Sequence, residues 1–514
     1  MKKQTKLKEN AKAIACTLAL LAVSVTAIYK LPDEVSKMIN KETRTQQVCD
    51  SKVNIDNKTT NMDGPKDIAS DNKRCRGKQV KYTDKTSDFK PMTKEEAESK
   101  GYTVIRTVGE LQRVTSNETG KYALLSDLDL SGIDWKPWNF NGEFEGNGYT
   151  LYNLKVTSAT DITTVTYDGN YKKYDTKAAG FFGNLTGKVT NLKIVGANVE
   201  VTSSDHMMVG ILAGIADKAE IENCLIYGTD KLETSAVMNG IGGVVGYGNG
   251  KITNCDIDVT VISIDTDKEV KDENFLAGIL SAGYFDIQDC RVNIKGYDSD
   301  HGYVHSGGLV GMYILYPYGT VNEGVITGND VKGYIRFFED NTDRRAYCKG
   351  IAGEVMNWTF AVGYNNIDEF VRDEVMTYDK DLLPEGDADS VKTETITEPT
   401  PVTPGYTTVT YAKTGYTYNT DYVLPTQTVE NYEIELEATK DQKGIRKGTE
   451  ITTGRTVYED YDYEETQIEE SSNKAETTKV EKDIKQIVLP VAAIIVVIIL
   501  LALRFTVFKP KKNK

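Results

Sequence analysis

Three cysteines recur in one setting: Ile221-Glu222-Asn223-Cys224, Ile252-Thr253-Asn254-Cys255 and Ile287-Gln288-Asp289-Cys290. Thiols at regular spacing invite metal ligation or disulfide chemistry. Three thiols cannot all pair with one another, and none of the three histidines of the chain (His206, His301 and His305) joins the motif. A second candidate chemistry is acid–base. Asp265, Asp267, Asp298 and Asp300 lie in loops of neighbouring segments. Converging carboxylates there would serve polysaccharide cleavage or hold calcium through oxygen ligands, and solvated turns are the plain alternative. His301 and His305 would share one strand face, which supplies two metal ligands at most. With histidine this scarce, no Ser/His/Asp constellation stands out.

The elements that would position these groups are strands. Each Asn-Cys motif begins about ten residues after the start of a glycine box: Gly210-Ile211-Leu212-Ala213-Gly214, Gly243-Val244-Val245-Gly246 and Gly278-Ile279-Leu280-Ser281. Further copies run from Tyr149-Thr150-Leu151-Tyr152-Asn153-Leu154 and Gly180-Phe181-Phe182-Gly183 to Gly307-Gly308-Leu309-Val310-Gly311 and a degraded Gly350-Ile351-Ala352-Gly353. Self-similarity at a period of about thirty residues is the signature of stacked repeats. Alternation such as Ile257, Val259, Val261 has the two-residue period of a strand with one buried face. The expected fold is mainly β, a right-handed β-helix or β-solenoid of about six or seven coils. In such a stack, Asn153, Asn191, Asn223, Asn254 and Asp289 would form a structural ladder whose amides bond one another and the turning backbone. Cys224, Cys255 and Cys290 would form the next column as small apolar fillers. The glycine boxes serve tight corners. None is followed by the Lys-Ser/Thr of a phosphate loop.

Ahead of the repeats lie a short helix signal at Val108–Gln112, then Asp127-Leu128-Asp129-Leu130-Ser131-Gly132, Trp135, Trp138 and Phe140-Asn141-Gly142-Glu143-Phe144-Glu145-Gly146. With Gly307-Gly308-Leu309-Val310-Gly311 and Ile241-Gly242-Gly243-Val244-Val245-Gly246, this run resembles bacterial cell-surface proteins carrying GLUG repeats. The resemblance covers about residues 100–365. It implies adhesin-like proteins or flanking modules of secreted peptidases, with the helix and the Trp135/Trp138 region capping the open end of the stack. The His-Glu-x-x-His zinc motif of such peptidases is absent, which removes the peptidase reading.

The termini speak to location. Residues 13–29 are uncharged and follow Lys2, Lys3, Lys6, Lys8 and Lys12, so residues 1–30 read as a signal peptide or an N-terminal membrane anchor. Residues 486–508 read as a transmembrane helix, with Arg504 snorkelling, and the basic tail 509–514 is placed in the cytoplasm by the positive-inside rule. Residues 31–485 would then be extracellular. Of these, 31–100 read as polar and loosely ordered, with Cys49 and Cys75 a candidate disulfide in an oxidising exterior. Residues 101–370 hold the repeats. Residues 371–485 form a Thr/Glu/Pro/Tyr-rich stalk, with a small β module at 405–435.

A net charge of -15 argues against a nucleic-acid partner. Thirty tyrosines against three tryptophans suit exposed binding surfaces, and equally suit β-structure. The expected function is a non-catalytic, membrane-anchored surface protein that binds glycans, matrix or neighbouring cells without a cofactor. A carbohydrate-active β-helix enzyme and a structural spacer are the competing classes.

Overall fold

The computed structural model describes residues 52–54, 89–165, 173–236, 238–266, 273–298, 303–314, 324–338, 345–356, 359–363, 365–375, 392–412 and 414–463. The motif residues Asp267, Asp300 and His301, the Cys49/Cys75 pair, and the two apolar terminal segments lie outside them. Among the described residues, no helix is long and apolar enough to cross a membrane.

The architecture is mainly β, dominated by long parallel sheets. One repeat contributes a strand to each of three sheets in turn. Met238–Gly242 lies in the first sheet, Val245–Thr253 in the second and Asp256–Asp265 in the third. The next repeat does the same with Glu273–Ala277, Leu280–Gln288 and Arg291–Asp298, in parallel register with the repeat before it. We call one such set of three strands a rung. Alternate side chains of the third sheet point inward, so that Val199, Val261 and Ile335 fall in one buried column and Ile226, Ile257 and Val292 in another. The result is one continuous apolar interior running from Ile105 to Ala352.

Two corners hold each rung. Between the first and second sheets stands the glycine box. At Gly243 a Cβ would fall 2.5 Å from both the Gly278 carbonyl and a Val259 methyl, so the rungs approach too closely there for a side chain. Between the second and third sheets stands the Asn-Cys motif. Asn191, Asn223, Asn254 and Asp289 all adopt left-handed backbone, with φ of 53°, 55°, 54° and 54°. Among residues bearing a Cβ, Asn and Asp tolerate this conformation best. Asn254 Nδ2 donates to Asn223 Oδ1 at 2.9 Å, Asn223 to Asn191 at 3.3 Å, and Asn191 to Glu145 Oε1 at 2.9 Å.

Asn153 departs from the expected ladder. The register pairs Tyr152 with Val195 and Lys155 with Asn198, which sets Asn153 level with Gly196, within the third sheet rather than at the corner. Gly146 takes the corner place, level with Asn191 and donating its N–H to the Thr190 carbonyl at 2.7 Å, as Asn191 does to the Glu222 carbonyl at 3.0 Å. The sequence misleads because Asn153-Leu154-Lys155-Val156 copies Asn191-Leu192-Lys193-Ile194, and both asparagines are left-handed with a buried leucine following.

The first rungs carry an aromatic cluster. Trp135 stacks on Phe181 at 4.9 Å and donates its indole N–H to the Phe181 carbonyl, while Phe140 stacks on Phe182 at 5.2 Å. Against this end lie the helices Lys94–Ser99 and Val108–Val114, flanking the strand Thr103–Ile105. The first helix falls within the stretch expected to be loose (31–100). Thr93 and Glu96 form a reciprocal capping box that fixes its start, and Ala97 is buried beneath it.

The chain divides into two compact units, residues 1–429 with 450–457, and residues 430–449 with 458–514. In the second, Arg446 pairs with Glu459 at 2.7 Å and lies over the Tyr432 ring at 4.4 Å. Within the first unit, Lys392–Thr397, Gly405–Tyr411 and Thr417–Val423 form an antiparallel three-stranded sheet. Composition reads this stretch as part of a stalk with a small β module at 405–435, within which Gly405–Tyr411 and Thr417–Val423 fall. The sheet lies against the outer face of the third sheet, where Tyr416 and Tyr422 find sites.

A candidate binding groove beneath a tyrosine hairpin

The inward residues of the third sheet leave their neighbours facing out: Asn198 and Glu200 on one rung, Tyr227, Thr229 and Lys231 on the next, then Asp258, Thr260 and Ile262, then Lys295 and Tyr297. The strand Thr417–Val423 lies across these rungs. Its turn is shaped by Gly415 (φ 68°), whose N–H reaches the Tyr411 carbonyl at 2.8 Å.

Two anchors hold the strand. At one end Tyr416 is only 7% exposed, and its hydroxyl donates to Thr260 Oγ1 at 2.8 Å. Burial pushes its phenol up to about 12, so it remains a donor at physiological pH. The Lys295 ammonium sits 5.2 Å from the centre of the Tyr416 ring and donates to the Thr417 carbonyl at 3.1 Å. At the other end Asn153 Nδ2 donates to the Tyr422 carbonyl at 2.7 Å, and Asn153 Oδ1 accepts from the Tyr422 N–H at 2.9 Å. Gly196 (φ 71°) lies under the Tyr422 ring, where a Cβ would come within 2.5 Å of the ring. The anchors are consistent with the two spacings. Six residues of strand span about 20 Å at about 3.3 Å each, and four rung steps from Asn153 to Lys295 span about 19 Å at about 4.8 Å each.

Between the anchors the strand and the sheet enclose a groove of about 460 Å³. Its walls mix aromatic rings with polar groups of both signs. Tyr227 is fixed by donating to Asp256 Oδ2 at 2.8 Å, and burial together with the Asp256 carboxylate raises its phenol, keeping it protonated. Tyr418 stacks on Tyr416 at 5.4 Å. Lys231 bridges Glu200 at 3.1 Å and Glu233 at 3.2 Å, and Asp258 Oδ2 accepts from Asn293 at 3.2 Å. Glycan sites have this composition: aromatic faces for the C–H faces of sugar rings, and fixed amides, hydroxyls and charges for their hydroxyls.

The residues that first drew attention lie elsewhere. Leu225, Asp256 and Arg291 are register partners, which puts the preceding Cys224, Cys255 and Cys290 one above another, all buried. They are unbridged, and burial pushes the Cys255 thiol well up, disfavouring the thiolate that ligation or attack requires. Among the described residues, no group of three or more His, Cys, Asp or Glu is arranged to hold a metal. Asp298 is fully buried and accepts from Ser306 Oγ at 3.0 Å, and Asp265 is buried at the end of its strand. His305 is buried, stacked on Phe275 at 5.4 Å, with Nδ1 2.8 Å from Glu354 Oε2.

The β module expected at 405–435 contains Tyr416, Tyr418 and Tyr422. The sequence does not reveal their partners, which are single residues on rungs far away in the chain. Gly196 was the available signal, a lone glycine inside an otherwise alternating strand and hence a mark of close approach. No family model, curated protein or solved structure matches the chain.

Proposed function

We propose that this chain is a non-catalytic cell-surface protein, anchored by its terminal apolar segments, that winds its three sheets into a right-handed β-solenoid and binds extracellular glycan in the groove beneath the tyrosine hairpin. The observation that carries the reading is the groove itself, with Tyr227 and Tyr418 presented beside Asn198, Lys231 and Asp258. A sheet face crossed by a strand leaves a slot, and a slot suits an extended polymer better than a compact metabolite. The repeated residues face inward and hold the stack, so recognition falls to the side chains that differ between rungs. The likeness of the glycine boxes to GLUG-repeat surface proteins, the net charge of -15 and the basic residues flanking the terminal apolar segments are in keeping with an adhesin-like role.

The test is a glycan array probed with the full chain in detergent micelles, alongside a reducing-end assay on each hit. Binding without new reducing ends is expected, with a loss of about tenfold or more for Tyr418→Ala. Absence of any glycan binding would sink the reading, and new reducing ends would replace it with a carbohydrate-active enzyme.

A further inference from the structure

We propose that the groove takes glycans without acidic groups, and that Glu200 and Glu233 set this selectivity by holding Lys231. The inference rests on the glycan reading above and specifies its ligand class. An acidic sugar is recognised by cations and strong donors that face it. The groove has two ammonium groups, and both are directed at protein acceptors. Lys231 lies 3.1 Å from Glu200 Oε1 and 3.2 Å from Glu233 Oε1, with 16% of its side chain exposed. Lys295 donates to the Thr417 carbonyl at 3.1 Å and rests over the Tyr416 ring. Two phenols of the walls are committed as well, Tyr227 to Asp256 and Tyr416 to Thr260.

The charges of the groove point the same way. It is lined by Glu200, Lys231, Asp258 and Lys295, two of each sign. Glu233, beside Lys231, adds a third carboxylate, so three negative charges against two positive ones leave a sum of -1. Asp258 is exposed, and its carboxylate accepts from a neutral amide, that of Asn293 at 3.2 Å. A uronate or sulfate entering the groove must either displace a carboxylate from Lys231 or lie beside it, and like charges brought together lower affinity. Sugar hydroxyls meet no such cost. They both donate and accept, and Asn198, Thr229 and Thr420 on the walls do the same. The determinants are outward side chains of two adjacent rungs, Glu200 opposite Lys231 in the register, with no part in the apolar interior.

The experiment uses the full chain in micelles on an array that carries each glycan uncharged and with a uronate or sulfate on the same core, at low and at high salt. The ratio of acidic to uncharged binding is read for the parent, for Glu200→Gln combined with Glu233→Gln, and for Lys231→Met. In the parent the acidic form should bind about threefold more weakly or worse, and added salt should narrow the gap by screening the repulsion. The double glutamine variant turns the local sum from -1 to +1 and should raise the ratio about threefold or more, whereas Lys231→Met turns it to -2 and should lower it. A loss of folding lowers all binding and cannot produce both shifts. Acidic forms bound as tightly as uncharged ones by the parent, an acidic-form affinity that falls with salt, or a ratio that stays put in both variants would each overturn this inference and leave the glycan-binding reading standing. Binding to no glycan at all would remove both.

Discussion

Replacing Asp230 with valine should stabilise the protein, and increasingly so as the pH rises. Asp230 is fully buried in the column that holds Val199 before it and Val261 after it, so valine is the residue the stack itself places there. Neither carboxyl oxygen has a well-formed hydrogen bond, and the Ile211 N–H is the polar group that bears on it. Ile211 stands where the following rungs have Gly243, Gly278 and Gly308, whose N–H groups bond to the next rung at 3.0, 3.3 and 3.0 Å. Burial raises the Asp230 pKa well above its ordinary 3.8. The carboxyl therefore stays protonated in the folded state where it would ionise in the unfolded chain. For a group shifted upward, the associated stability is complete below the unfolded pKa and declines as the pH climbs toward the folded one, at about 1.4 kcal/mol per pH unit. An unsatisfied buried polar group adds about 1–3 kcal/mol of cost, and the orphaned Ile211 N–H in the variant returns about 1 kcal/mol of that. Asp230→Val should thus gain up to about 2 kcal/mol near pH 4, with the gap widening toward pH 7. Asp230→Asn should remove the pH dependence without the full gain. The assay is the urea midpoint of the purified chain at pH 4, 5.5 and 7. A variant no more stable than the parent, with a pH-independent gap, would refute the argument and mean that Asp230 is ionised and paired.

Three other outcomes are expected. Gly196→Val places a branched side chain where a Cβ already meets the Tyr422 ring at 2.5 Å, in left-handed backbone; it should unseat the hairpin and speed proteolysis within residues 414–423, and an unchanged cleavage rate would argue against the docking. Asn254→Ala should cost about 2–3 kcal/mol, by forcing left-handed backbone and breaking the 2.9 Å bond to Asn223, whereas Asn254→Gly should cost about 1 kcal/mol; equal urea midpoints would show that the left-handed turn is not what the corner demands. Under native conditions, thiol alkylation followed by peptide mass mapping should leave Cys224, Cys255 and Cys290 unmodified until denaturant is added. Rapid labelling of any of them would contradict their buried stacking.

The mainly-β repeat was legible because its two punctuation marks are chemically narrow. A left-handed corner admits Asn, Asp or Gly, and a corner without room for a Cβ admits Gly, so both recur and declare the period. The same narrowness produced the error at Asn153. Left-handed turns at two different places select the same residue, and only register separates them. The groove was not legible, because a docking surface is written in single outward residues with no periodic constraint. Tyr416 and Thr260 lie 156 positions apart, and nothing local to either announces the other. The mixed composition of 392–423 suggested a stalk with a small β module at 405–435 and gave no sign of the sheet face that its tyrosines pack on. Asp230 was hidden for the opposite reason, since its strand alternates normally around it and a polar residue at an inward place is visible only once the face is known.

The crossing of the hairpin has a mechanical side. Load applied along the stack pulls neighbouring rungs apart by their backbone hydrogen bonds. Thr417–Val423 spans those same rungs with covalent chain, pinned at the Asn153 rung by Tyr422 and at the Thr260 rung by Tyr416. To part the rungs in between, tension must first tear out one of the two pins. The hairpin therefore acts as a tie bar across the N-terminal half of the third sheet, so that under pulling the untied C-terminal rungs yield before the rungs that form the groove.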